Sequence, residues 1–127
     1  MKIDRQKMHQ KYNGHCAYCG REITAKEMQV DHAEPIMRKS TYQNGKFKKL
    51  NGCEFPELDC ESNMMPSCRQ CNNRKWTCDI ESFRSEMSKQ VMRAEKICAA
   101  FRMALIYKQI EKTEKPILFY FEKFNDL

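Results

Sequence analysis

No apolar run in this chain approaches the ~20 residues that a membrane-spanning helix needs, so no membrane span is expected. Its first twelve residues, MKIDRQKMHQKY, are charged throughout and lack the apolar segment of a secretory leader. Internal repeats and low-complexity tracts are missing too. Histidine is scarce, with His9, His15 and His32 the three present. What remains is 127 residues, 31% of them charged, with a mean hydropathy of −0.81. That length suits one modest core, or a compact site plus a packed helical extension. An aqueous, cytoplasmic setting is the expectation.

Against these absences stand eight cysteines. In a reducing cytosol, paired cysteines more often bind metal than form disulfides. Four of them make two Cys-x-x-Cys pairs, Cys16/Cys19 and Cys68/Cys71, separated by 48 residues. Each pair presents two sulfurs at the spacing of a tetrahedral site, and together they make a closed four-sulfur centre suited to structural Zn²⁺. Two redox motifs or four unrelated thiols are the alternatives. The metal would clamp the two ends of an insertion and stabilise a domain whose core is thin. Cys53 and Cys60 lack paired spacing, and Cys78 and Cys98 are scattered.

Charge is placed unevenly. Residues 1–76 carry 14 Lys/Arg against 9 Asp/Glu, a surplus of +5. Residues 77–127 carry 9 against 8, leaving +1 of the total +6. Four thiolates around Zn²⁺ would reduce the first surplus to about +3. A polyanionic partner fits this balance without being demanded by it.

Residues 2–12 read as a polar helix stopped at Asn13-Gly14, with His9 exposed. His15 to Ile23 (HCAYCGREI) reads as a metal knuckle, with His15 at the surface, and Met28 to Asp31 as a short strand. Residues 36–62 are a loop-rich insertion with one small hairpin at Asn44-Gly45 and further turns at Asn51-Gly52 and Phe55-Pro56. Its Lys46, Lys48 and Lys49 are either a solvated loop or a phosphate-contacting flap. Helix is expected from Cys68. Phe83, Met87, Val91, Ala94, Cys98, Phe101 and Leu105 are spaced as one continuous helical face over 79–112, with Asp79 as N-cap. The half after Ile97 is expected to be buried on more than one side, with Cys98 a buried thiol. Pro116 ends the helix, and ILFYF (117–121) reads as a strand, an apolar tail under the helix or, if exposed, a dimer surface.

The two cysteine pairs would bring Asp31-His32, at the end of a strand, beside Asn72, at the start of a helix. A carboxylate and an amide oxygen are hard ligands that suit Mg²⁺ or Mn²⁺. A neutral imidazole beside that ion can take a proton from water. These are the parts of a one-metal phosphodiesterase.

The order Cys-x-x-Cys, Val-Asp-His-x-x-Pro, Ser-Asn-Met-x-Pro, Cys-x-x-Cys-Asn-x-x-Lys resembles the zinc-braced HNH endonucleases over residues 14–76. The resemblance implies a ββα-metal core at 14–78 around the zinc; joined to the N-terminal helix at 1–13, the insertion at 36–62 and the long helical extension with an apolar tail at 79–127 that the residues themselves indicate, the expected fold is α+β. It implies His32 as general base, Asp31 and Asn72 as ligands of the catalytic ion, and Asn63 as a brace of the loop that carries the base. Arg74 or Lys75 would contact the scissile phosphate of DNA, with plain surface charge as the alternative, and an exposed extension and tail would make a homodimer surface. Many members carry His at the Asn72 position; Asn73 is the second choice of ligand, and Glu34 has no assigned part. A zinc-stabilised nucleic-acid-binding module without catalysis and a protein-interaction domain are the competing classes.

Overall fold

A computed structural model describes residues 2–126. The fold mixes helices with two small antiparallel sheets. Helix α1 (Arg5–Gln10) starts at Asp4, whose carboxylate accepts from the amides of Gln6 and Lys7, and the chain leaves it through Asn13 and Gly14 at φ 53° and 78°. Strand β1 (Gln29–His32) pairs with β4 (Met64–Ser67), setting Asp31 opposite Met65 and His32 opposite Met64. Helix α2 (Arg69–Lys75) follows β4 at once. The result is a strand–strand–helix unit into which residues 33–63 are inserted.

That insertion contains β2 (Arg38–Gln43) and β3 (Lys46–Cys53), joined by a two-residue turn with both Asn44 and Gly45 at positive φ. This is the turn that matches strand twist. The hairpin is longer than the sequence suggests. Asn51-Gly52, expected to be a turn, lies within β3, and the register shifts across from it between Arg38 and Ser40. Lys39 stands opposite Leu50, Asn51 and Gly52, and the two extra residues are absorbed as a bulge, so the strands continue past a dipeptide that otherwise signals reversal.

The expected long helix over 79–112 is three helices: α3 (Ile80–Ser88), α4 (Gln90–Ile97) and α5 (Ala99–Ile106). Asp79 caps α3 as anticipated, through the Ser82 amide at 2.7 Å. Cys98 is extended, at φ −115° and ψ 109°. Arg102 crosses this break and donates to the carbonyls of Glu95 and Lys96, both at 2.9 Å. Those carbonyls would otherwise lack partners at a helix end. Burial is also not as expected. Cys98 is exposed, and so are Ile97 (84% accessible), Met103 and Ile106. Periodic spacing reports a local apolar face; it does not supply a surface to bury it on, and the small core fully buries Phe83 and half-buries Ile80 and Met87.

Phe83 lies flat against Phe119, centroids 5.1 Å apart, and Tyr18 meets both rings edge-on. The segment Ile117–Phe119 is extended and short helix α6 (Tyr120–Lys123) follows. The Tyr120 and Phe121 amides donate to the carbonyls of Tyr18 and Ala17, at 3.0 and 2.8 Å. Arg84 grips the Glu122 carboxylate with two nitrogens and the Ile117 carbonyl with one of them. The apolar tail is therefore tucked under α3 and fastened to the knuckle, with Phe119 unavailable as a dimer surface. Met8, Ile23, Met28 and Met64 complete the same core. Among the described residues, no helix is long and apolar enough to cross a membrane.

Phe83→Ala is expected to remove the link between extension and core, lowering stability by about 3 to 5 kcal/mol in urea unfolding of the zinc-loaded protein, whereas Cys98→Ser should leave it within about 0.5 kcal/mol.

Candidate metal centre and adjoining polar site

Cys16 and Cys19 sit on a tight knuckle closed by the Gly20 amide, which donates to the Cys16 carbonyl at 3.0 Å. Gly20 has φ 81°, and a Cβ there would lie 2.8 Å from the Tyr120 ring, so both backbone and space require glycine. The Ala17 amide donates to the Pro66 carbonyl at 2.8 Å, which ties the knuckle to β4 just before Cys68. Cys68 is the N-cap of α2, its sulfur accepting from the Cys71 amide at 3.4 Å.

The four sulfurs lie within 4.8 Å of one another, the one such group of potential ligands among the described residues. Four cysteines this close can hold a metal ion. Zinc fits: sulfurs at about 2.3 Å from a common tetrahedral centre stand about 3.8 Å apart, and Cys19 Sγ is 3.8 Å from Cys68 Sγ. Hydrogen bonds from Cys19 and Cys71 hold the Cys16 thiol far below its ordinary range, while Cys71 is pushed up, mainly by its bonding to Cys16 and Cys19. Four thiolates at this spacing repel one another without a cation between them, and the positive ion is what allows all four to ionise.

Beyond the sulfurs, α2 lies across the face of β1 that carries Gln29 and Asp31. Asn72 donates its amide Nδ2 to Gln29 Oε1 at 2.6 Å. One helical turn further, Lys75 Nζ lies 3.0 Å from Asp31 Oδ2 and donates to the His32 carbonyl at 2.8 Å. Alternate residues of the strand thus meet positions three apart on the helix, as strand and helix periods require. Tyr18 completes the cluster by donating its hydroxyl to Asp31 Oδ2. Burial, with Asp31 next, raises the Tyr18 phenol well above its ordinary value, which keeps it a donor.

Lys75 therefore corrects an expectation. The sequence offers it as a phosphate contact, yet its side chain is 0% accessible. Its ammonium holds the Asp31-His32 strand end from inside the fold. Arg74 and Asn73 are exposed on α2, as are Lys46, Lys48 and Lys49 on β3.

His32 points to the other side of β1. Its Nε2 lies 2.9 Å from Asp59 Oδ1, and this bond is the main cause holding the Asp59 carboxyl below its usual range. With Nε2–H donated to Asp59, the neutral ring keeps Nδ1 as its basic nitrogen. Asn63 accepts from the Glu34 amide at 3.0 Å and donates to the carbonyls of Glu34 and Leu58, each at 2.8 Å. It fastens the loop that follows His32, and Glu34 contributes its backbone to that brace while its side chain stays exposed. His9 and His15, both expected at the surface, are half-buried: His9 bonds the Ile23 carbonyl at 2.6 Å and His15 stacks on Tyr120.

Three site residues escaped the sequence reading. Gln29 was discoverable from strand alternation, two positions before Asp31. Tyr18 sits inside the first Cys-x-x-Cys. Asp59 lies in the insertion and carries no local signal. The chain has no significant match among protein-family models, curated proteins or solved structures.

Metal analysis of the purified protein is expected to return one zinc per chain, and Cys71→Ser to abolish tight retention. Because the bound thiols have lost their protons, acidification should release the ion, read with a chromogenic chelator. Lys75→Ala leaves Asp31 buried without its cation and should cost about 3 to 5 kcal/mol; Lys75→Met with Asp31→Asn, which removes both charges, should cost less than the single change in the same urea titration.

Proposed function

We propose that this chain is a metal-dependent endonuclease of the HNH type that hydrolyses phosphodiester bonds in DNA. The observation that carries the reading is the strand–strand–helix unit beside the four-cysteine centre: β1, which ends in Asp31-His32, pairs with β4, and α2 meets it through Asn72 on Gln29 and Lys75 on Asp31. Neither a purely structural zinc module nor an interaction domain needs that juxtaposition.

The donor chemistry at this site suits a hard divalent ion. Asn72 turns its amide nitrogen to Gln29, so its carbonyl oxygen is the end left for a cation. Asp31 takes Lys75 and Tyr18 on Oδ2, and its second carboxylate oxygen is the one to offer. Asp31 and Asn72 would hold Mg²⁺ or Mn²⁺, which supplies positive charge to the phosphate and the leaving oxygen.

His32 accepts the proton of the attacking water at Nδ1. The water oxygen forms the new bond to phosphorus while the bond to the leaving deoxyribose oxygen breaks, and that oxygen takes its proton from solvent water. Asp59 orients the imidazole and stabilises the imidazolium that forms. Asn63 holds the loop after His32, and Lys75 fixes its backbone carbonyl. Arg74, exposed on the last turn of α2, is the cation placed to meet a phosphate oxygen.

One observation favours a second reading, a zinc-stabilised nucleic-acid-binding module without catalysis: the Asp31 carboxylate already has Lys75 as its counter-charge. Plasmid cleavage decides between them. With Mn²⁺ or Mg²⁺ added, the natural chain should nick or linearise supercoiled DNA, and His32→Ala should reduce the rate at least about 100-fold while retaining zinc. Equal cleavage by both proteins, or by neither, would remove the nuclease reading.

A further inference from the structure

Among the described residues, the β2–β3 hairpin is a ribbon of two strands with no third strand on either edge. Every residue of β2 except Thr41, and every residue of β3 except Cys53, is exposed. A hairpin this exposed contributes little to a core and by itself is marginally stable. Between Pro35 and Cys53 the chain carries five Lys/Arg and no Asp or Glu.

The pairing register sorts its side chains onto two faces. Tyr42 opposes Phe47 and Ser40 opposes Lys49. This face borders a cleft of about 470 Å³ whose lining includes Ser40, Phe47, Lys49 and also Asp59, the partner of His32. The two aromatic rings meet edge-on at 5.8 Å and stiffen the ribbon. On the opposite face, Thr41 opposes Lys48 and Gln43 opposes Lys46. That face joins two ammonium groups to a hydroxyl and a carboxamide, which can bond base edges. Lys49, grouped by sequence with Lys46 and Lys48, therefore belongs to the cleft face.

We infer that the β2–β3 ribbon lies in the major groove of B-form duplex DNA, presenting Thr41, Gln43, Lys46 and Lys48 to it. The choice of DNA rests on the nuclease reading above; the choice of groove rests on the ribbon. Two strands about 4.8 Å apart enter a groove about 12 Å wide. The major groove of A-form RNA is too deep and narrow to admit them. The unbroken positive charge complements the phosphate walls, and the ribbon springs from the chain four residues after the Asn63-braced Glu34.

The test uses the full zinc-loaded chain with no Mg²⁺ or Mn²⁺ added, and reads binding by fluorescence anisotropy of labelled DNA and RNA duplexes of one sequence. Lys46→Ala/Lys48→Ala should weaken DNA binding by roughly tenfold or more and lower the slope of log affinity against log salt by about 2. Lys96→Ala/Lys115→Ala, with equal charge loss elsewhere, should change affinity less than about twofold. Thr41→Ala/Gln43→Ala should weaken binding with the salt slope unchanged. Acetylation footprinting should show Lys46 and Lys48 protected by DNA. The inference is overturned if the ribbon variant binds like the natural chain, if Lys46 and Lys48 are not protected, or if the RNA duplex binds as tightly as the DNA. Ribbon-dependent binding without any cleavage would remove the nuclease reading and leave the groove contact standing.

Discussion

A lysine ammonium shut away from solvent holds the centre of this molecule together. Lys75 reaches Asp31 and the carbonyl of His32 from the last turn of α2. Burying that cation is costly unless its partner is equally well placed, and the partner is placed by the β1–β4 pairing and by Tyr18. Helix α2 has seven residues, too few to persist alone. Its first turn is gripped by the cysteine centre and its last by Lys75, so the strand face and the helix face have one allowed alignment. The identity of the residues brought together, Gln29 with Asn72 and Asp31 with Lys75, follows from that alignment.

A second fastening, apolar and aromatic, joins the rest of the chain to the same knuckle. Tyr18 takes part in both. Its ring packs on Phe83 and Phe119, while its hydroxyl reaches Asp31. The residue just before Cys19 thus couples the position of the C-terminal tail to the polar cluster. Arg84, forked onto Glu122 and raised in pKa chiefly by it, closes the outer side of this contact. Helices α4 and α5 lie beyond it and keep much of their apolar surface in water.

What the sequence made legible were features encoded by spacing or by a single strong local preference. Two Cys-x-x-Cys pairs announced the sulfur centre, Asn44-Gly45 the hairpin, Asp79 a helix start, and the strand ending at Asp31-His32 lay within a residue of its expected place. Features set by tertiary context were not legible. Lys75 follows Arg74 and looks like surface charge; only the helical phase against β1 turns one inward and leaves the other outside. The apolar face over 83–105 was real as a pattern, but a pattern does not reveal that contact with the core ends near Met87. Asp59 meets His32 across 27 residues, and no local motif joins them.

Asn63 binds the chain at Glu34 and at Leu58, so the excursion carrying the hairpin is closed at its neck. Once a neck is closed, the length beyond it enters stability mainly as loop entropy, and doubling it costs only about 0.6 kcal/mol. The ribbon is in this sense an interchangeable head on a fixed handle. The ribbon of this chain could be lengthened, shortened or replaced without resetting the distance between His32 and α2, provided the carboxamide of Asn63 is kept.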